Sequence, residues 1–292
     1  MDKFLILLLT GLTVGSIYSM VALGFVLVFK STDVLNFAHG EFLMLGSYLA
    51  LTFLVSWDLN IWISILIIAA LICALGVGIH FGIMRPLIGQ PLFSVVLVTI
   101  GIAIIIRAGL LIIYGPLERG RITQALPQSG FDVAGVPVPW VNMIMFVVAA
   151  LSVLVFLLFF KMTRIGLQMR AVAENLEAAA AMGVSPNSVF ATSWGIGAVM
   201  AAVAGVLYAN YAPVIDLNLS AIGLRAFPAA MIGGLDSVGG AILGGLIVGV
   251  LEQLAAGYIG AEYRDVVAFG LMFVVLMVRP FGFFGKEDVI RV

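Results

Sequence analysis

The feature that most constrains this chain is the length of its uncharged apolar runs. From Phe4 to Phe29 no charged residue occurs. An α-helix rises 1.5 Å per residue, and the hydrocarbon core of a bilayer is about 30 Å thick, so about 20 apolar residues cross it. The run is longer than a signal-peptide core and shows no small-x-small cleavage pattern, so it reads as a first transmembrane helix that stays in the protein. Further apolar stretches near 61–84, 93–114, 141–161 and 188–212 extend the pattern, as do those near 41–56, 237–256 and 264–279. Composition agrees: 63% of the residues are hydrophobic and 10% charged, against about 25% charged in a soluble domain. With a net charge of −1, the chain offers no basic surface to nucleic acid. Its single cysteine, Cys73, excludes a disulfide framework.

The expected fold is an all-α integral membrane protein forming a single transmembrane domain over 1–292, with about eight transmembrane helices and two half-length broken ones. The half-length elements fall near 34–40 and 222–233. Asn36-Phe37-Ala38-His39-Gly40-Glu41 marks the first, and Arg225-Ala226-Phe227-Pro228 with Gly233-Gly234 marks the second. Proline removes an amide donor and glycine loosens a helix, and broken backbone at membrane depth persists only where protein or a water-filled cavity satisfies it.

Basic residues set the expected orientation. An internal N-terminus places Lys3, Arg85, Lys161, Arg164, Arg170, Arg279, Lys286 and Arg291 inside, leaving Lys30, Arg119, Arg121, Arg225 and Arg264 outside or near the outer interface. Both termini are then cytoplasmic, 115–140 is an external loop, and 162–187 is the largest internal one. An internal duplication is expected, with repeat-like halves at about 1–90 and 188–285. Each half runs through a long helix, a broken element and a Gly-containing helix to a helix closed by Arg85-Pro86 or Arg279-Pro280. On this topology the repeat is parallel. Small residues four apart, as at Gly11, Gly15 and Ser19 or Gly240, Gly244 and Gly245, predict close helix packing.

The internal loop reads as a short, mildly amphipathic helix rich in Ala, Leu and Glu, closed by Gly183 and Pro186. It lacks the bulky apolar face and basic stripe that a helix resting on lipid headgroups prefers. Glu177-Ala178-Ala179, three residues and Gly183 resemble the Glu-Ala-Ala loop of ABC-importer permeases, although the aliphatic-x-Leu-Pro ending of many such loops is absent. Val34-Leu35-Asn36-Phe37-Ala38-His39-Gly40-Glu41-Phe42 with Leu45-Gly46-Ser47-Tyr48 resembles the signature of branched-chain amino acid permeases of the LivH type. Phe227-Pro228-Ala229-Ala230-Met231-Ile232-Gly233-Gly234, Gly239-Gly240-Ala241 and Arg279-Pro280-Phe281-Gly282 carry the same likeness through the rest of the chain.

The resemblance implies a multi-pass permease of the bacterial inner membrane that imports leucine, isoleucine and valine. It implies a second homologous permease subunit, two cytoplasmic ATPase subunits and a periplasmic substrate-binding protein. Docking to the ATPase would involve Arg170, Glu174, Glu177, Ala178, Ala179 and Gly183. No Gly-x4-Gly-Lys-Ser/Thr motif occurs in the sequence, so the expectation is a non-enzymatic subunit with no cofactor of its own, its partners using ATP. The substrate pathway is expected at Asn36, Phe37, His39, Glu41, Phe227 and Pro228. Asn36, His39 and Glu41 either line that pathway or form a buried network that fixes the break, and Arg107 within its span is expected to pair with a carboxylate such as Glu252 or to satisfy backbone carbonyls rather than to contact ligand. Two alternatives stay open: a urea or short-chain amide permease, and a stand-alone secondary carrier, for which the Glu-Ala-Ala loop has no use.

Overall fold

The computed structural model describes residues 2–285 except 121, 123, 124, 128, 134 and 135. Arg121, Lys286 and Arg291, which enter the charge argument, lie outside the described residues. The architecture is an all-α bundle. Among the described residues, six helical stretches are long and apolar enough to cross a membrane: Asp2–Thr32, Ile61–Leu87, Leu92–Tyr114, Trp140–Met162, Pro186–Ala209 and Val238–Tyr258.

The central helix is α1 (Asp2–Thr32), with 89% of its apolar window buried in the protein. Its stripe of Gly11, Gly15 and Ser19 receives α10 (Val238–Tyr258) running antiparallel. An added Cβ at Gly11 or Gly15 would stand 2.7 or 2.9 Å from the Cα of Val250 or Leu246. One turn further on, Ser19 Oγ donates to the Ile242 carbonyl at 2.8 Å. Lipid tails are as apolar as leucine, so close backbone packing rather than hydrophobic drive holds such a pair. The other wall is α8 (Pro186–Ala209), where Gly197 meets Gly24 and Ser193 Oγ donates to Ser31 Oγ at 2.8 Å. Outside this core stand α3 (Ile61–Ile79), α4 (Leu92–Tyr114) and α5 (Trp140–Met162). Only 17% of the window of α4 or α5 is buried, which leaves their leucine and isoleucine side chains for the bilayer.

Three shorter helices complete the bundle. The first, α2 (His39–Ala50), continues as a π-helical stretch, Leu51–Ser56. It crosses α8 where Leu43 and Ser47 meet Gly205 and where Gly46 meets Ala202. The others are α9 (Ser220–Gly233), which contains Pro228, and α11 (Arg264–Val278). The expected half-helix at 34–40 does not form. Asp33, at φ 54°, ends α1, and the chain then runs without helical structure to Ala38. The Asn36 Oδ1 captures the Ala38 amide at 3.0 Å, a turn that competes with helix and starts α2 only at His39. The stretch from Asp33 through Ser56 therefore makes one complete crossing.

The orientation differs from the expected one. The helices α1, α2, α3, α4 and α5 cross in alternation before the internal loop helices α6 (Arg164–Glu174) and α7 (Leu176–Ala181). Lys30, Asp33, Glu174, Asp236 and Pro280 line a common cavity, which puts the end of α1 on the face that carries α6 and α7. Lys3 is at the far face, with its Nζ 4.9 Å from the Tyr258 ring centroid at the end of α10. The two ends of the described chain thus lie on opposite faces, so Lys3 and Lys30 exchange the places expected for them. The exchange leaves the charge balance of the described residues as expected: Lys30, Arg85, Lys161, Arg164, Arg170 and Arg279 stand on the α6–α7 face, against Lys3, Arg119, Arg225 and Arg264. A parallel repeat is excluded, since α1 and α8 run in opposite directions.

In the far-face loop, β1 (Arg119–Gly120) pairs with β4 (Val214–Ile215), and β2 (Gly130–Val133) pairs with β3 (Val136–Pro139). In a Cys73→Ala background, Lys3→Cys and Ala178→Cys should label from opposite sides of the membrane. A membrane-impermeant maleimide on intact cells should reach the first and spare the second until the cells are permeabilised. Equal labelling of both would contradict this topology.

Candidate functional site

The α2 and α9 helices each begin inside the membrane, and their N-termini meet. Gly40 and Gly223 face each other closely: a Cβ on Gly223 would collide with the Gly40 Cα, and one on Gly40 would collide with the Ser220 carbonyl oxygen. The neighbouring helix α4 gives the depth. The Phe37 amide donates to Thr99 Oγ1 at 3.2 Å, and Thr99 lies about 10 Å along α4 from its start at Leu92. Arg107, bonded to the first turns of both short helices, lies about 10 Å before the end of α4 at Tyr114. Neither Ala38 nor Leu219 supplies a side-chain cap, so nearby polar side chains bear more of the work of satisfying this broken backbone.

The expected pathway residues divide by environment. Asn36 is 2% exposed, and its Nδ2 has no hydrogen-bond partner. Phe37 and Phe227 face each other with ring centroids 6.3 Å apart. Phe25, Leu35 and Phe269 join them with Asn36 and Leu224 around a cavity of about 200 Å³. His39 is fully buried against α1, with Nε2 3.1 Å from the Val21 carbonyl and its ring 4.4 Å from that of Phe25. It makes no pair with Glu41 and fits the role of fixing the break. Pro228 is buried within α9 and has no amide to offer the Leu224 carbonyl one turn earlier.

Two charged clusters flank α9. In the first, Arg107 donates to Glu41 Oε1 at 3.1 Å and to Ser220 Oγ, tying α4 to the starts of α2 and α9. In the second, Glu252 accepts from the Tyr18 hydroxyl at 2.7 Å and lies 3.7 Å from Arg225, which also donates to Asp265 Oδ1 at 2.5 Å. Arg107 thus pairs with a carboxylate as expected, but with Glu41 rather than Glu252. Glu252 sits on α10, which packs on α1 and α9 and so meets Arg225, while α4 packs on α2 and meets Glu41. Sequence reasoning missed Arg225 as the partner of Glu252, though a lone acid and a lone base at membrane depth are the signal for such a pair.

The internal loop holds two helices where one was expected. Asn175 leaves the helical region at φ −159°, ψ 107°, and its Oδ1 caps a second start by accepting from the Ala178 amide at 2.8 Å. Gly183, at φ 86°, closes α7, with its amide on the Ala180 carbonyl and that of Val184 on the Ala179 carbonyl. The six expected docking residues do not share one exposed surface. Glu174, Glu177, Ala178 and Gly183 are exposed, Ala179 is buried, and Arg170 donates to the Phe160 and Lys161 carbonyls, capping the end of α5. Exposed Leu176 and Met182 extend this outer surface.

The second cluster supplies a stability test. Arg225→Ala leaves Glu252 buried without its cation and should lower stability by about 3–5 kcal/mol, read as a drop in the detergent melting temperature. Adding Glu252→Gln should recover much of that loss. Equal melting temperatures for wild type and Arg225→Ala would show that the cluster contributes nothing.

The family described as "Branched-chain amino acid transport system / permease component" matches residues 7–276. The chain is similar to the high-affinity branched-chain amino acid transport system permease protein BraD of Pseudomonas aeruginosa, at 35% identity over 98% of this chain and 97% of that one. It is 33% identical to the permease protein LivH of Escherichia coli, over 99% of this chain and 98% of the relative. A probable branched-chain amino acid transport permease protein LivH of Methanocaldococcus jannaschii is 28% identical over 92% of this chain and 88% of that one. No solved structure matches the chain. With the match running from α1 into α11 and relatives aligned almost end to end, the chain belongs to the family of branched-chain amino acid transport system permease components.

Proposed function

We propose that this protein is the membrane-spanning permease subunit of an ATP-driven importer for leucine, isoleucine and valine. It is a multi-pass protein of the bacterial inner membrane and a transporter subunit, not an enzyme. The near end-to-end likeness to branched-chain amino acid permeases carries the reading. It favours this substrate class over urea or short-chain amides, and a subunit of an ABC system over a stand-alone carrier.

In this reading α6 and α7 form the coupling element, and the face that carries them is cytoplasmic. Glu177, Ala178, Leu176 and Met182 offer a mixed apolar and acidic surface that suits a cleft on an ATPase subunit. Two ATPase subunits would bind there, a second homologous permease would complete the pathway within the membrane, and a periplasmic binding protein would deliver substrate to the far face. The pathway passes the meeting point of the half-length helices, beside Asn36, Phe37, Glu41, Phe227 and Pro228, with His39 bracing α2 against α1. The two halves are best read as an inverted pair, α1 through α4 and α8 through α11, since each has a long helix, an extended stretch, a short helix starting at membrane depth and two more crossings. Discontinuous helices in such repeats commonly border the substrate site.

The test is ATP-dependent uptake of labelled leucine by vesicles holding this chain, its partner subunits and the binding protein. Wild type should accumulate leucine only with ATP. Glu177→Arg with Met182→Asp, both at exposed positions, should cut uptake at least about tenfold while the ATPase ceases to co-purify, a loss of about 1.4 kcal/mol or more in docking. Uptake without ATP or ATPase would instead mark a secondary carrier, and unchanged uptake in the variant would remove α7 from the coupling role.

A further inference from the structure

The least expected feature of the site is the position of Arg107. Its side chain is 49% exposed and that of its partner Glu41 8% exposed, yet both lie within the thickness of the membrane. A charged side chain at mid-bilayer costs about 2.5–3.5 kcal/mol on insertion scales, and such residues face a bundle interior or a water-filled cavity. The face that exposes Arg107 is therefore turned away from hydrocarbon, toward the pathway. The pair is also incompletely used. One terminal nitrogen, Nη2, makes both bonds from Arg107, to Glu41 and to Ser220. Glu41 Oε2 is buried without a hydrogen-bond partner. A carboxylate oxygen left in this state is an acceptor awaiting a cation or donor.

The same face of α9 carries the remaining pieces. Ser220, bonded to Arg107, lies one helical turn before Leu224, about 6 Å along the axis. Leu224 and Phe227 close the cavity of about 200 Å³ with Phe25, Phe37, Phe269 and Asn36. At about 30 Å³ per water-sized unit, that space holds roughly six non-hydrogen atoms, which suits an aliphatic side chain. Its lining is apolar apart from Asn36, whose buried Nδ2 has no hydrogen-bond partner. A cation, an anion and an apolar chamber one helical turn apart match the three parts of an aliphatic α-amino acid.

Resting on the permease reading above, we infer that the Glu41–Arg107 pair and the adjoining aromatic cavity form an intramembrane binding site for the amino-acid zwitterion. Arg107 receives the α-carboxylate, Glu41 receives the ammonium through Oε2, and the aliphatic chain enters the cavity between Phe37 and Phe227. The resting ion pair neutralises both charges while the site is empty. Substrate exchanges that one pair for two, each group of the zwitterion replacing a partner of opposite sign. A molecule lacking either charge leaves one member of the pair unmatched in a poorly solvated site.

The test is binding of tritiated leucine to the purified permease assembled with its partner subunits, without the binding protein. The competitors are unlabelled leucine, leucinamide, which lacks the carboxylate, and 4-methylpentanoate, which lacks the ammonium. Wild type should prefer leucine to either analogue by at least about tenfold, as expected when one charge-assisted hydrogen bond is missing. Glu41→Gln should remove the preference over 4-methylpentanoate, and Arg107→Gln the preference over leucinamide, each without changing the other. A pair with only a structural role would weaken all three ligands together, and that result would overturn the inference. Should a variant fail to assemble, wild-type competition decides, because an analogue that competes as well as leucine excludes a two-charge site. ATP-driven leucine uptake by the same wild-type complex, with the binding protein added, separates the two levels. Absent uptake removes the permease reading, whereas normal uptake with unchanged preferences in both variants removes this site alone.

Discussion

The contact between Gly40 and Gly223 is the constraint on which most of the structure depends. Two helices that each span only part of the bilayer end against each other there, and a side chain on either glycine would hold them apart. Backbone groups released by such a break find no water in hydrocarbon, and each one left unpaired costs several kcal/mol. The surroundings supply the partners. Asn36 turns the chain into α2, Thr99 receives the Phe37 amide, and Arg107 binds the first turns of both helices through Glu41 and Ser220. Charge and broken backbone stabilise each other at one depth.

Around that centre the helices follow a division of labour set by side-chain size. The buried helices α1, α8 and α10 carry glycine, alanine and serine where they touch, so their backbones approach and interhelical hydroxyl bonds form. The peripheral helices α3, α4 and α5 carry leucine, isoleucine and valine toward the lipid, and exposed side chains such as Ile105, Ile112 and Leu151 have no need of a protein partner. Arg107 departs from that rule, a charged and half-exposed side chain on a helix whose other exposed residues are apolar or small.

The sequence made some of this legible and concealed the rest for identifiable reasons. Spans long enough to cross declare themselves by the absence of charge, and the small-residue stripe at Gly11, Gly15 and Ser19 correctly announced a tight helix pair. The break between Asn36 and Glu41 was placed correctly but given the wrong form, because Asn36 ends in a side-chain turn where a half-helix was expected. The span expected near 41–56 is thus entered through a turn, and Lys3 and Lys30 exchange the faces expected for them. Asn175 did carry a capping signal, yet the helix-forming residues on both sides obscured it. The partners of Arg107 and Glu252 were out of reach of local pattern. Arg107 lies 66 residues from Glu41, and Tyr18 lies 234 from Glu252; only the order in which helices pack selects among the available charges.

The antiparallel seam between α1 and α10 also bears on how the protein is made. Ser19 and its partner Ile242 are separated by 223 positions, so the most enclosed helix is made long before the neighbour it packs against exists. Contacts this remote in sequence slow assembly, because the entropy of bringing them together is lost before they contribute. In the interval α1 is protected by its own composition. With no charge between Phe4 and Phe29, it rests in lipid at little cost, its glycine face merely solvated by acyl chains. The core of this protein is thus assembled last, around a helix that tolerates being kept waiting.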